Sequence, residues 1–110
     1  MYSGLIIKES LINEQILDEI EILNVEIWKT DNVPKYWTAI SFISHSENFP
    51  EHLSKAIGTS SESGMVWYVD IRDDVYKYIV FKDIVLKYHI GNAEEKKKIC
   101  ERCIELGVKR

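Results

Sequence analysis

Three carboxylates crowd one short stretch of the chain: Asp70, Asp73 and Asp74, lying between Tyr68 and Tyr76. Such a group can hold a divalent cation through oxygen ligands, and a carboxyl among apolar neighbours can serve as a general base with a displaced pKa. Asp70 is the member of interest, because strand alternation puts it on one face with Tyr68, Ile79 and Phe81. A plainer reading stands beside it. Asp73-Asp74 is also a two-residue turn, and folding the segment about it sets Asp70 opposite Lys77 as a cross-strand ion pair. With a base at Asp70, Tyr68 or Tyr78 would be the hydrogen-bond donor. Trp67, Tyr68, Asp70, Tyr78 and Ser61 form the candidate ligand-binding set, beside the serine- and glycine-rich loop 58–64; no residue is assigned as catalytic.

Cys100-Glu101-Arg102-Cys103 has the spacing of a redox pair. A reactive thiol of that kind wants a helix N-terminus, where the dipole lowers its pKa. Here both thiols fall well inside a predicted helix, toward its negative end. A zinc site would need two further ligands, and His89 is the only candidate close in sequence. Both cysteines therefore read as small core residues, and no metal or other cofactor is expected. His45 and His52 flank the start of another predicted helix without any paired-ligand spacing, so surface or cap chemistry is expected of them. Trp67, Tyr76 and Tyr78 on one sheet face invite comparison with stacking platforms for single-stranded RNA. Their surroundings are not basic: the lysines cluster at Lys96-Lys97-Lys98 and at Lys109-Arg110, and the net charge is −4. Nucleic acid is thus not an expected partner. No nucleophile elbow, phosphate-binding loop or dinucleotide fingerprint occurs.

The elements that must position these groups follow from periodicity. At 110 residues, 45% apolar and 29% charged, residues 1–110 suit a single domain with a real core and no disulfide framework. No basic, apolar leader and no membrane-length apolar run are seen, which makes the cytoplasm the default compartment. Leu5-Ile6-Ile7 suits a buried strand. Asn13 caps a predicted short helix over 13–20. Strands are expected over 22–29, with Leu23, Val25 and Ile27 on one side, and over 36–44, joined by the turn residues Thr30-Asp31-Asn32-Val33-Pro34. Pro50 opens a two-turn helix that Gly58 stops, with Phe49, Leu53 and Ile57 as its buried stripe.

The segment 67–81 reads as an aromatic hairpin. Its expected pairs are Ile71 with Tyr76, Val69 with Tyr78 and Trp67 with Val80. Lys82-Asp83 turns into another strand over 84–90. Asn92 caps a final helix over 93–106, with Ile99, Cys103 and Leu106 along one stripe.

Several short stretches resemble a known family. Gly4-Leu5-Ile6-Ile7-Lys8-Glu9-Ser10-Leu11, Trp37-Thr38, Trp67-Tyr68-Val69-Asp70, Tyr78-Ile79-Val80-Phe81 and Leu106-Gly107-Val108 are similar to motifs of small bacterial and archaeal proteins of uncharacterised function. The resemblance implies one intact domain and brings no activity or site residue with it.

The expectation is an α+β domain: a mainly antiparallel sheet of about five or six strands with two main helices on one face, ferredoxin-like or a related split arrangement. In function it is a non-enzymatic ligand-binding or protein-interaction module, homodimeric, with a small ligand or a protein as partner and no membrane. Two alternatives stand beside it: a small enzyme with Asp70 as base, and an acidic antitoxin- or immunity-like inhibitor.

Overall fold

A computed structural model describes residues 1–31, 35–60 and 64–108. The strands are β1 (Tyr2–Ile7), β2 (Glu21–Lys29), β3 (Tyr36–Ser44), β4 (Val69–Arg72), β5 (Tyr76–Phe81) and β6 (Ile84–His89); the helices are α1 (Phe49–Ala56) and α2 (Ala93–Glu105). The six strands form one sheet in the order β2-β3-β1-β4-β5-β6. Every pairing is antiparallel. This is the expected α+β class. Among the described residues it lacks the parallel pair that a ferredoxin-like crossover makes.

The helices divide between the two faces of the sheet rather than sharing one. Phe49, Leu53 and Ile57 form the expected stripe, and each is fully buried. Phe49 packs on Phe42 and Tyr2, and the cluster continues through Ile6, Ile71 and Val80. Burying each such side chain contributes roughly 1.5–3 kcal/mol. Helix α2 runs along β6, and its N-terminal Ala93 and Lys96 line a shallow depression with Arg72, Lys77 and Tyr88 on the other face. Its cap is the expected one: Asn92 accepts the Glu95 N–H at 3.0 Å. On its stripe only Cys103 is buried; Cys100 is exposed, so the core reading holds for one thiol of the pair.

Three local expectations need correction. The segment after Asn13 is a 3₁₀ turn, Glu14–Glu19, and not an α-helix. So short a segment gains little from helical propagation, and burial of Ile16 decides its shape.

In β2, Leu23 is the extra residue of a β-bulge between Ile22 and Asn24. Beyond the bulge, Val25 and Ile27 share a face with Ile22, and all nine residues of the strand are exposed.

The hairpin folds one residue later than expected. Its pairs are Val69 with Val80, Asp70 with Ile79, Ile71 with Tyr78 and Arg72 with Lys77. Asp73 is the reason. Its Oδ1 accepts the N–H groups of Val75 (2.8 Å) and Tyr76 (2.6 Å), and its own N–H donates to the Tyr76 carbonyl at 3.0 Å. Asp73 thus stands before the turn as its side-chain anchor, and Asp74-Val75 form the loop. The shift preserves alternation, so the expected faces survive within β4 and β5, whereas Trp67 lies outside β4 and is not paired with Val80.

Candidate functional site

Strand alternation and the register together bring the three tryptophans of the chain into one place. Trp28 on β2 lies opposite Trp37 on β3, and Trp37 tilts against Trp67 with ring centres 5.0 Å apart at 58°. Leu5 and Ile7 of β1, Met65, Val66, Tyr68 and Asp70 complete a cleft of about 300 Å³. It lies on the sheet face opposite α1. The lining is mostly apolar, and its residues with polar side chains besides the tryptophans are Tyr68 and Asp70.

The indoles differ in how they are held. Trp28 Nε1–H donates to Glu26 Oε2 at 3.0 Å, and Asn24 Nδ2 donates to the other oxygen of the same carboxylate at 3.3 Å. Trp37 Nε1 is buried with no hydrogen-bond partner among the described residues. Such a donor costs on the order of 1–3 kcal/mol while it stays unmatched. Trp67 is 6% exposed. The backbone at this corner is fixed by Glu9, whose carboxylate accepts both the N–H (2.6 Å) and the hydroxyl (3.0 Å) of Thr38, next to Trp37.

Of the candidate residues, Trp67, Tyr68 and Asp70 line this cleft. Asp70 also meets Lys77 at 3.1 Å, diagonally across the hairpin and not directly opposite as expected. Tyr78 does not join them. It points to the other face, 8% exposed, with its ring edge-on to Tyr2 and its hydroxyl donating to Asp73 Oδ2 at 3.0 Å. Burial, and after it the Asp73 carboxylate, push the Tyr78 phenol far above its ordinary pKa. It is a structural tyrosine. Ser61 lies outside the described residues. Trp28, Trp37, Leu5 and Ile7 were missed by sequence reasoning, although pairing the strands over 22–29 and 36–44 would have set the two indoles side by side.

The remaining chemistry-bearing residues are accounted for locally. Tyr78 is buried, Tyr76 carries Lys87 Nζ over its ring at 4.5 Å and Trp67 lines the cleft with Trp37, so the three do not form one open stacking platform. His89 pairs with Glu95 at 2.9 Å and His52 with Glu19 at 2.8 Å.

Glu19 also accepts the Ser46 hydroxyl at 2.5 Å. Burial raises its pKa, but the hydrogen bonds from Ser46 and His52 and the nearby imidazole outweigh it and leave the carboxyl below its ordinary value. This serine, carboxylate and imidazole are in the wrong order for nucleophilic catalysis, because the hydroxyl is bonded to the carboxylate and not to the imidazole. The cluster pins the 3₁₀ turn to α1. Among the described residues no cluster of three metal-ligating side chains occurs, and no helix is long and apolar enough to cross a membrane. In comparisons with known proteins, the chain matches no family model, no curated protein and no solved structure.

Proposed function

We propose that this protein is a non-enzymatic, cytoplasmic binding module that takes a small planar ligand into the tryptophan cleft. One observation carries the reading: all three tryptophans of the chain, from three separate segments, line a single apolar cleft. Aromatic walls with a few polar groups are the usual make-up of a small-molecule site. The Trp37 N–H is itself buried, so the polar residues left for a ligand at this cleft are Tyr68 and Asp70. Asp70 fits a rim residue better than a base, since Lys77 already neutralises it.

The same geometry supplies the assay, because every source of indole emission borders the cleft. A library of small planar heteroaromatic compounds is screened by intrinsic fluorescence and thermal shift. A true ligand moves both signals; at about 100 times its Kd it adds roughly 2.7 kcal/mol of stability. Trp28→Ala and Tyr68→Ala, both at exposed positions, should weaken its binding at least tenfold without unfolding the protein. Hits whose affinity is indifferent to both substitutions, or a library without a hit, would count against the cleft as the site.

A further inference from the structure

β2 is an edge strand of the sheet with no strand paired to its outer side among the described residues, and its residue pattern is that of an interface. Ile22, Leu23, Val25, Ile27 and Trp28 are 51%, 59%, 50%, 64% and 39% exposed. Edge strands are ordinarily guarded by a central lysine, a proline or a covering element. Here Lys29 comes only at the end, and no proline lies within the strand. Glu26 is tied back along the sheet face by Asn24 and Trp28. At the opposite edge, α2 packs against β6 on the face away from α1.

The direction of the free backbone groups can be read from two bonds. Thr30 N–H donates to the Lys35 carbonyl at 2.6 Å, in line with the β2–β3 ladder. Thr38, the partner of Ile27, sends its N–H to Glu9 on the side away from β2. Even-numbered residues from Asn24 to Trp28 therefore bond inward to β3, whereas Val25, Ile27 and Lys29 present N–H and C=O outward.

We propose that β2 pairs with β2 of a second copy of this chain, antiparallel about a two-fold axis at Ile27, to join the two sheets edge to edge. The register follows from charge and from the bulge. An axis at Glu26 would set that carboxylate against Glu26 of the partner subunit in a closely spaced pair, which is repulsive. An axis at Val25 would run the pairing into the bulge at Leu23. An axis at Ile27 uses only the regular part of the strand. It sets Val25 opposite Lys29 of the partner subunit and Glu26 opposite Trp28 of the partner subunit, so no two like charges face each other across the axis. Ile27 meets the partner's Ile27. Val25, Ile27 and Lys29 of each copy then close roughly six backbone hydrogen bonds. A contact of this size is at the small end of specific interfaces, so association is expected in about the micromolar range.

Light scattering and sedimentation across about 1 to 500 μM test the pairing. The wild-type mass should rise with concentration toward twice 12.9 kDa. Ile27→Pro deletes one outward N–H and leaves the β3 ladder intact; Ile27→Lys sets two like charges on the axis. Both should stay at 12.9 kDa with unchanged circular dichroism, and the lysine variant keeps the test decisive if the proline variant does not fold. Val25→Glu places a carboxylate opposite Lys29 of the partner subunit and should keep or tighten the dimer, whereas an axis at Val25 would make the same change disruptive. A wild-type monomer at every concentration, a dimer indifferent to the Ile27 substitutions, or a monomer that takes an unrelated extended peptide on this edge overturns the proposal.

Discussion

Removing the Asp73 carboxylate should unfasten the hairpin that carries half of the cleft. Asp73→Ala deletes the acceptor for three donors: the N–H groups of Val75 and Tyr76 and the Tyr78 hydroxyl. Hydrogen bonds to a charged acceptor contribute roughly 1.5–3 kcal/mol each, but the two turn amides can turn to water, so the expected loss is about 2–4 kcal/mol and not the full sum. In a domain of this size that lowers Tm by roughly 10–25 °C. Asp73→Asn keeps an acceptor oxygen without the charge and should lose about 1 kcal/mol.

The effect must also carry a pH signature. Burial raises the pKa of the Asp73 carboxyl, but the backbone hydrogen bonds from Tyr76 and Val75 and the Tyr78 hydroxyl together hold it below the ordinary value. A carboxyl depressed by folding adds stability that is present above its unfolded pKa, about 3.9, and is lost as pH falls through its folded pKa. Urea unfolding followed by far-ultraviolet dichroism, at about pH 7 and in steps down to about pH 2.5, reads both effects. The difference between wild type and Asp73→Ala should be largest near neutrality and shrink below about pH 4. Differences between these two proteins remove the contributions of the other depressed carboxyls, which both share. A neutral-pH loss under about 0.5 kcal/mol, or a difference that stays flat to the lowest pH, would refute Asp73 as the anchor.

Two further outcomes are expected. Gly4→Ala should lose about 1–3 kcal/mol by overpacking, although glycine-to-alanine changes elsewhere can stabilise by up to about 1 kcal/mol. A methyl at Gly4 would lie 2.6 Å from Ile71 Cγ2 and 2.9 Å from the Asp70 carbonyl oxygen, forcing β1 and β4 apart, so a stabilised variant in denaturant titration would contradict the close strand approach. Alkylation followed by mass spectrometry should label Cys100 in the native protein and Cys103 only in denaturant. Burial, with Cys100 and Asp70 adding to it, pushes the Cys103 thiol up; equal labelling rates for the two would contradict its burial.

The elements themselves were legible because periodicity and turn chemistry are local. The β-formers over 36–44 became β3, Phe49, Leu53 and Ile57 became the buried stripe of α1, and Asn92 capped α2. The two-sided apolar pattern of the aromatic hairpin also survived. Its register did not, because Asp73 and Asp74 are equivalent as turn formers on composition, and the side-chain bonds to Val75 and Tyr76 choose between them. Similarly, alternation over 22–29 could not announce the bulge at Leu23, which depends on what β3 offers across the ladder.

The candidate site was half legible for the same reason. Trp67, Tyr68 and Asp70 are neighbours in sequence and were found together; Trp28 and Trp37 reach them only through strand order, which places β1 between β3 and β4. Tyr78 was drawn in by its aromatic type and is excluded by a single fact of alternation and burial, its hydroxyl being turned to Asp73 on the other face.

The amino-acid sequence alone determined the α+β class with a mainly antiparallel sheet, a buried α1 stripe and a capped final helix, since these follow from spacing and propensity within a few residues. Only the tertiary structure decided that three distant indoles share a cleft, that Asp70 is tied to Lys77, and that β2 is an edge strand. Those facts depend on which strands become neighbours, and strand order is set by the packing of the whole core and not by any one segment.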